Sequence, residues 1–169
     1  LAPSPFTSTY TSGPIAVPII SNVAAGSIST INASALPSTA QITRAEVAIN
    51  LSHTWDGDMA ISLKAPNAKI LNLDYYLNNT GGTGATTGFV NTRFASNGVT
   101  SINTAANPYT GIFKADAFNG SAANPSGPTG YTQNTALWSD LYPSPSGNWT
   151  LAILDNFAGD DGTLTSWSI

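Results

Sequence analysis

The chain has 169 residues, 41% of them hydrophobic and only 8% charged, with five basic side chains against nine acidic ones. Ordinary soluble domains carry about 25% charged residues. Five scattered cations exclude both a phosphate-neutralising stripe for nucleic acid and a polybasic patch for anionic membranes. The absence of cysteine excludes thiol catalysis, thiolate zinc sites and disulfides together.

The length fits one domain with a sizeable core. A mean hydropathy of +0.01 and a net charge of −4 argue against disorder, which combines low hydrophobicity with high net charge. Solubility must then rest on hydroxyl and amide groups. Such a surface, without cysteine, fits a bacterial exported protein, so the expected location is secreted or cell-surface. No apolar run approaches the ~18 residues of a membrane span, and no segment reads as a signal peptide.

In chain order, residues 1–14 are rich in Pro, Ser and Thr without periodicity and read as a linker or N-terminal arm. The sandwich domain is expected over residues 15–169. Weak strands are expected at Ile15–Ile20 and Ser27–Ile31. The clearest strand is Thr43–His53, with Ala45, Val47, Ile49 and Leu51 on one face and Arg44, Glu46, Asn50 and Ser52 on the other. Met59, Ile61 and Leu63 repeat the pattern, and weaker strands follow at Ala68–Leu73 and Phe89–Phe94. Asn78–Gly88 and Asn119–Gly130 read as long surface loops, and Ala136–Tyr142 as a single helical turn. Trp149, Leu151 and Ile153 point inward, and Trp167 and Ile169 share a phase in Thr163–Ile169. About eight strands with half-polar alternation predict an all-β antiparallel sandwich with one solvated face per sheet.

His53 is the only histidine, so a Ser-His-Asp hydrolase would have to use it, and no G-x-S-x-G elbow accompanies it. It continues the inward phase of its strand, which favours a hydrogen-bonded core histidine. Glu46, the only glutamate, has no acidic neighbour in sequence to make a glycosidase pair. No catalytic residue is therefore expected.

Five of the nine acids fall in two turns: Asp56 and Asp58 in His53-Thr54-Trp55-Asp56-Gly57-Asp58, and Asp155, Asp160 and Asp161 in Asp155–Gly162. Crowded carboxylates repel unless a cation intervenes, and hard oxygen ligands suit Ca²⁺. Asp and Asn equally make turns by bonding their own backbone. Asp155 continues the inward phase of Ile153 and so needs partners. Calcium and a purely hydrogen-bonded corner are both open readings of these residues. Five N-x-[ST] triplets begin at Asn32, Asn50, Asn78, Asn119 and Asn148, as many as composition alone explains. Tyr75, Tyr76, Tyr109, Trp138 and Tyr142 lie in or beside loops. They offer either a sugar-stacking platform for a glycan- or surface-binding module or apolar plugs under the loops.

Three stretches, Val47–Pro66, Gly147–Asp155 and Asp161–Ile169, occur in a telling order: a His-Thr-Trp-Asp-Gly-Asp turn, a Gly-Asn-Trp strand, an Asp-rich turn and a closing Trp strand. Together they resemble the P domain (P/Homo B domain) that follows the catalytic domain of proprotein convertases and many bacterial subtilisin-like serine proteases. Two features depart from that pattern. Val17-Pro18-Ile19 stands where the family often has Ile-Pro-Asp, and the chain ends at Ile169 where members usually continue for a few strand residues. The resemblance implies a non-catalytic jelly-roll accessory domain, covalently linked to a catalytic domain that it stabilises or docks. It also favours calcium among Asp56, Asp58, Asp155, Asp160 and Asp161, where the two aspartate turns are expected to meet.

Overall fold

Strands whose apolar residues recur every second position must bury that face against a second layer. In the computed structural model, which describes residues 5–79 and 87–169, two such layers face each other. Their strands are β1 (Val17–Ile19), β2 (Ser27–Asn32), β3 (Glu46–His53), β4 (Met59–Lys64), β5 (Ile70–Tyr75), β6 (Phe89–Ala95), β7 (Tyr109–Phe113), β8 (Asn148–Asp155) and β9 (Gly162–Ser168). One sheet has the order β1-β9-β3-β6-β7 and the other β2-β8-β4-β5. With β7 set aside, each sheet takes four antiparallel strands in the order of a jelly roll. The expected fold class is the one found.

The ninth strand, β7, runs parallel to β6 at the sheet edge. It escapes a sequence reading because it is five residues long and Gly111 at its centre has φ +135°, a residue that normally marks a break in a strand. The strand expected over Ala68–Leu73 is displaced. Ala68 sits at φ +66° in the β4–β5 turn, and β5 runs on to Tyr75. Near the end of β9, a register shift opposite Asn50 and Leu51 lets Leu164 and Trp167 both face inward although they are three residues apart.

Between the sheets lie Val47, Ile49, Ile61, Leu63, Leu151 and Ile153, all fully buried, with Phe94 and Trp167. Burying such an apolar side chain contributes about 1.5–3 kcal/mol relative to leaving it exposed. Trp167 keeps its indole N–H satisfied by donating to Ser29 Oγ at 2.9 Å.

The outer face of the four-stranded sheet is covered over β4, β5 and β8, while Ile28, Thr30 and Asn32 of β2 keep the expected solvated face. Asn119–Gly130 is not a free loop there. Ser126, Gly127 and Pro128 are buried, and main-chain oxygens of the segment accept from the sheet: Ser126 O from Ser62 Oγ, Asn124 O from the Tyr75 hydroxyl, and Pro125 O from the Tyr76 hydroxyl. Residues 80–86 of the expected Asn78–Gly88 loop lie outside the described residues, as does part of the Asn78 triplet. The turn expected in Ala136–Tyr142 is a 3-10 turn over Trp138–Leu141. The described part of the N-terminal arm is tied down: Tyr10 and Ile169 exchange two backbone hydrogen bonds, and Ser12 N donates to Trp167 O.

Candidate functional site

The jelly-roll connections bring the ends of β3 and β8 and the starts of β4 and β9 to one end of the sandwich. Pairing of Met59 with Asp155 and of His53 with Gly162 sets the two aspartate turns side by side. His53 is 2% exposed. Its Nε2 lies 3.2 Å from Asp155 Oδ2, and its Nδ1 lies 2.9 Å from Trp55 O and 3.1 Å from Trp55 N. Either charge state is satisfied: the cation donates from both nitrogens, and the neutral ring donates from Nε2 while Nδ1 accepts from Trp55 N–H. Gly162 permits this approach, since a Cβ there would lie 2.3 Å from Ser52 O and 2.6 Å from His53 Cδ2.

The five expected ligands do not converge on one point. Asp155 Oδ1 accepts from Phe157 N, completing that carboxylate beside His53. Asp161 is exposed, and its Oδ1 accepts from Ser21 N while its backbone bonds Thr54 in both directions. Asp56 turns toward the start of β6, where its Oδ2 accepts from Gly88 N at 3.0 Å and Asn107 Nδ2 at 2.8 Å. Asp58 has Asp155 and Asp160 as its electrostatic neighbours. Among the described residues no three His, Asp or Glu side chains are grouped so as to hold a metal ion. The donors present engage the carboxylates of Asp155, Asp161 and Asp56.

The electrostatics follow burial. Asp56 is pushed up to about 6 by burial, against the opposing pull of Gly88 N–H, His53 and Asn107. Asp58 is also pushed up to about 6, by burial and then by the charges of Asp155 and Asp160. Burial alone would lower His53, but the hydrogen bond and charge of Asp155, with help from Trp55 O and Asp56, outweigh it and hold the imidazole above its ordinary value. No hydroxyl nucleophile contacts His53 among the described residues. Both ring nitrogens are engaged, one by Asp155 and one by Trp55.

The loop aromatics are used in packing. Tyr75, Tyr76 and Tyr109 are buried, and Trp138 and Tyr142 pack half-buried against the core. Tyr75 stacks on Phe118 with ring centroids 4.7 Å apart. Sequence reasoning passed over a second acidic pair, Asp74 and Asp116. The signal for it was an aspartate inside the apolar run Ile70-Leu-Asn-Leu-Asp-Tyr75.

The sequence matches no family model and no curated protein. Among solved structures, a serine protease of Aeromonas sobria contains a similar fold. It aligns with a TM-score of 0.50 and 14% identity over 99% of this chain and 27% of that chain. A chain from the complex of that protease with its chaperone aligns with a TM-score of 0.45 and 14% identity, covering 98% and 27%. The chain thus spans about a quarter of the length of the structures it matches. What the likeness establishes is a shared jelly-roll β-sandwich.

Proposed function

We propose that the chain is a non-catalytic accessory domain of an exported subtilisin-like serine protease, a P-domain-type jelly roll that stabilises or docks the catalytic domain covalently joined to it. The observation that carries this reading is the alignment of 99% of the chain with only 27% of a bacterial serine protease. The order of the His53–Asp58 turn, the Trp149 strand, the Asp-rich turn and the Trp167 strand supports it independently. A buried His53 engaged by Asp155 and Trp55 suits a scaffold and leaves no free base for chemistry. A surface of hydroxyls and amides with few charges suits an extracellular location.

The product of the complete gene provides the test. Removing residues 15–169 should lower the yield of active, folded protease by at least about ten-fold, the scale of losing roughly 1.4 kcal/mol of stability. The isolated domain should melt cooperatively and cleave no peptide. A gene product without a serine protease catalytic domain, or a deletion that leaves yield and half-life unchanged, overturns the reading.

A further inference from the structure

Two open sheets present four edge strands, and a bare edge is a template for another strand. Three of these edges are closed off. β1 is three residues long with Pro18 at its centre. β7 is five residues long, carries Gly111 at φ +135° in its middle, and leads into Lys114, whose N–H donates to Thr100 O. β5 is covered: Ile70 N and Asn72 N donate to the side chains of Asn134 and Gln133, while Ile70 O and Asn72 O accept from Asn134 N and Ala117 N. β2 has no such protection. It pairs with β8 over six residues without a register shift and contains no proline, glycine or charged side chain.

The ladder fixes which backbone groups of β2 face outward. Ala33 N donates to Gly147 O at the register position just past the strand. Bonded positions alternate along an antiparallel pair, so Ser27, Ser29 and Ile31 bond β8, and the N–H and C=O of Ile28, Thr30 and Asn32 point away from it. No described residue bonds those groups, and all three residues are exposed. None of the chain's charged side chains, nor its histidine, lies before Arg44. β2 and its flanking turns are thus a neutral margin on a protein of net charge −4, where the approach of a like-charged copy is opposed least. The edge also matches itself. About a two-fold axis at Thr30, the outward groups of Thr30 meet those of Thr30 in a second copy, and Ile28 meets Asn32 in both directions. Thr30 Oγ1 already pairs with Thr150 Oγ1 at 3.0 Å, and this row of hydroxyls continues across the axis.

We propose that β2 is a self-pairing edge through which two copies of this chain join as a symmetric dimer, their four-stranded sheets running on as one. Six residues a side fall short of the about 20–30 of a standard interface. The dimer is therefore weak, with Kd between about 1 μM and 1 mM. It does not depend on the accessory-domain reading.

The test takes the 169-residue chain through analytical ultracentrifugation from about 1 μM to 1 mM, where dimer should replace monomer. Amide hydrogen exchange should slow at Ile28, Thr30 and Asn32 as concentration rises, while Ser27, Ser29 and Ile31 stay protected throughout. Thr30→Lys sets like charges face to face across the axis and should weaken association at least about ten-fold. Mixing Thr30→Lys with Thr30→Glu should restore it, because unlike charges then meet. Should Thr30→Lys fail to fold, Thr30→Pro decides in its place by removing an N–H that the monomer leaves unused. A wild-type chain that stays monomeric at about 1 mM overturns the proposal. So does a dimer that these variants leave intact, or one that the Lys and Glu mixture fails to restore.

Discussion

Two acidic regions of the same sandwich solve the problem of burying carboxylates differently. At the His53 corner, Asp155 is 1% exposed, yet both its oxygens have donors, one from an imidazole and one from Phe157 N. At the edge of β5, Asp74 is just as buried, and its neighbour is a second carboxyl, that of Asp116. The turn that follows β8 explains the contrast: Asp155 is the last residue of that strand, and Phe157 N–H, just beyond the ladder, is free to point back at its carboxylate. Along a strand the N–H groups already pair with neighbouring strands, so a carboxylate placed there must find its compensation elsewhere. A carboxylate at a strand end is thus satisfied by the turn beyond it, whereas Asp74, inside β5, meets a second carboxyl, that of Asp116.

The most severe way to break the comparison is to remove the donor–acceptor match at the corner. Asp155→Ala leaves His53 Nε2 buried without its partner and Phe157 N–H without an acceptor. Loss of one member of a buried pair costs about 3–5 kcal/mol, and equilibrium denaturation in urea should show a loss on that scale, with or without calcium. Asp155→Asn keeps an oxygen to accept from Nε2 and should recover much of the deficit. A loss in Asp155→Ala confined to calcium-containing buffer would mean that an ion, not the imidazole, is the partner of this carboxylate.

A smaller effect comes from disturbing the close approach that positions the ring. Gly162→Ala drives a Cβ against Ser52 O and His53 Cδ2, and overpacking of this kind costs about 1–3 kcal/mol. The clash falls on main-chain oxygen as well as on the imidazole, so ring rotation alone does not relieve it. Denaturation midpoints should move down. The His53 imidazole resonances should shift in the NMR spectrum, while those of residues around Asp74 stay in place.

Much of this contrast was visible in the sequence, but unevenly. The alternation in Val47, Ile49, Leu51 and His53 made β3 legible and placed the histidine inward, because a strand with one buried face has period two. The same phase put Asp155 inside. The acidic pair at β5 was hidden by a boundary: a strand read as ending at Leu73 leaves Asp74 outside it, and only the β4–β5 pairing shows that the strand continues. The cover over the four-stranded sheet was hidden for another reason. Asn124, Pro125 and Ser126 hold Tyr75, Tyr76 and Ser62 through main-chain oxygens, which any residue carries and no side-chain pattern announces. The turn acids were noticed, but the direction in which each points depends on Gly88, Asn107 and Ser21, all distant along the chain.

The mildest effect, and the one that separates proton from hydrogen-bond control at the corner, is the pH dependence. His53 is held above its ordinary value in the folded state. Its contribution is fully present below the unfolded pKa of about 6.5 and is lost as pH rises through the folded value. Asp58, raised from 3.8 to about 6, acts in the same direction at lower pH: the folded state holds its proton more tightly, and stability declines between those two values. The wild-type chain should therefore lose stability in two steps, one as pH rises from 3.8 to about 6 and one as it rises above 6.5. Asp56, also raised from 3.8 to about 6, titrates over the same range, so Asp58→Asn reduces the lower step without abolishing it and leaves the upper one. Solvent near this side chain screens the interaction, so the variant should be more stable than wild type at pH 7 by about 1 kcal/mol. The difference should vanish by about pH 2, well below the unfolded value of 3.8, where the wild-type carboxyl is protonated in both states. The step above pH 6.5 should survive in Asp58→Asn, because it belongs to the imidazole. Equal stability of the two proteins at pH 7 in chelator would mean that Asp58 has found a donor within the turns, making the corner still more complete relative to the edge of β5.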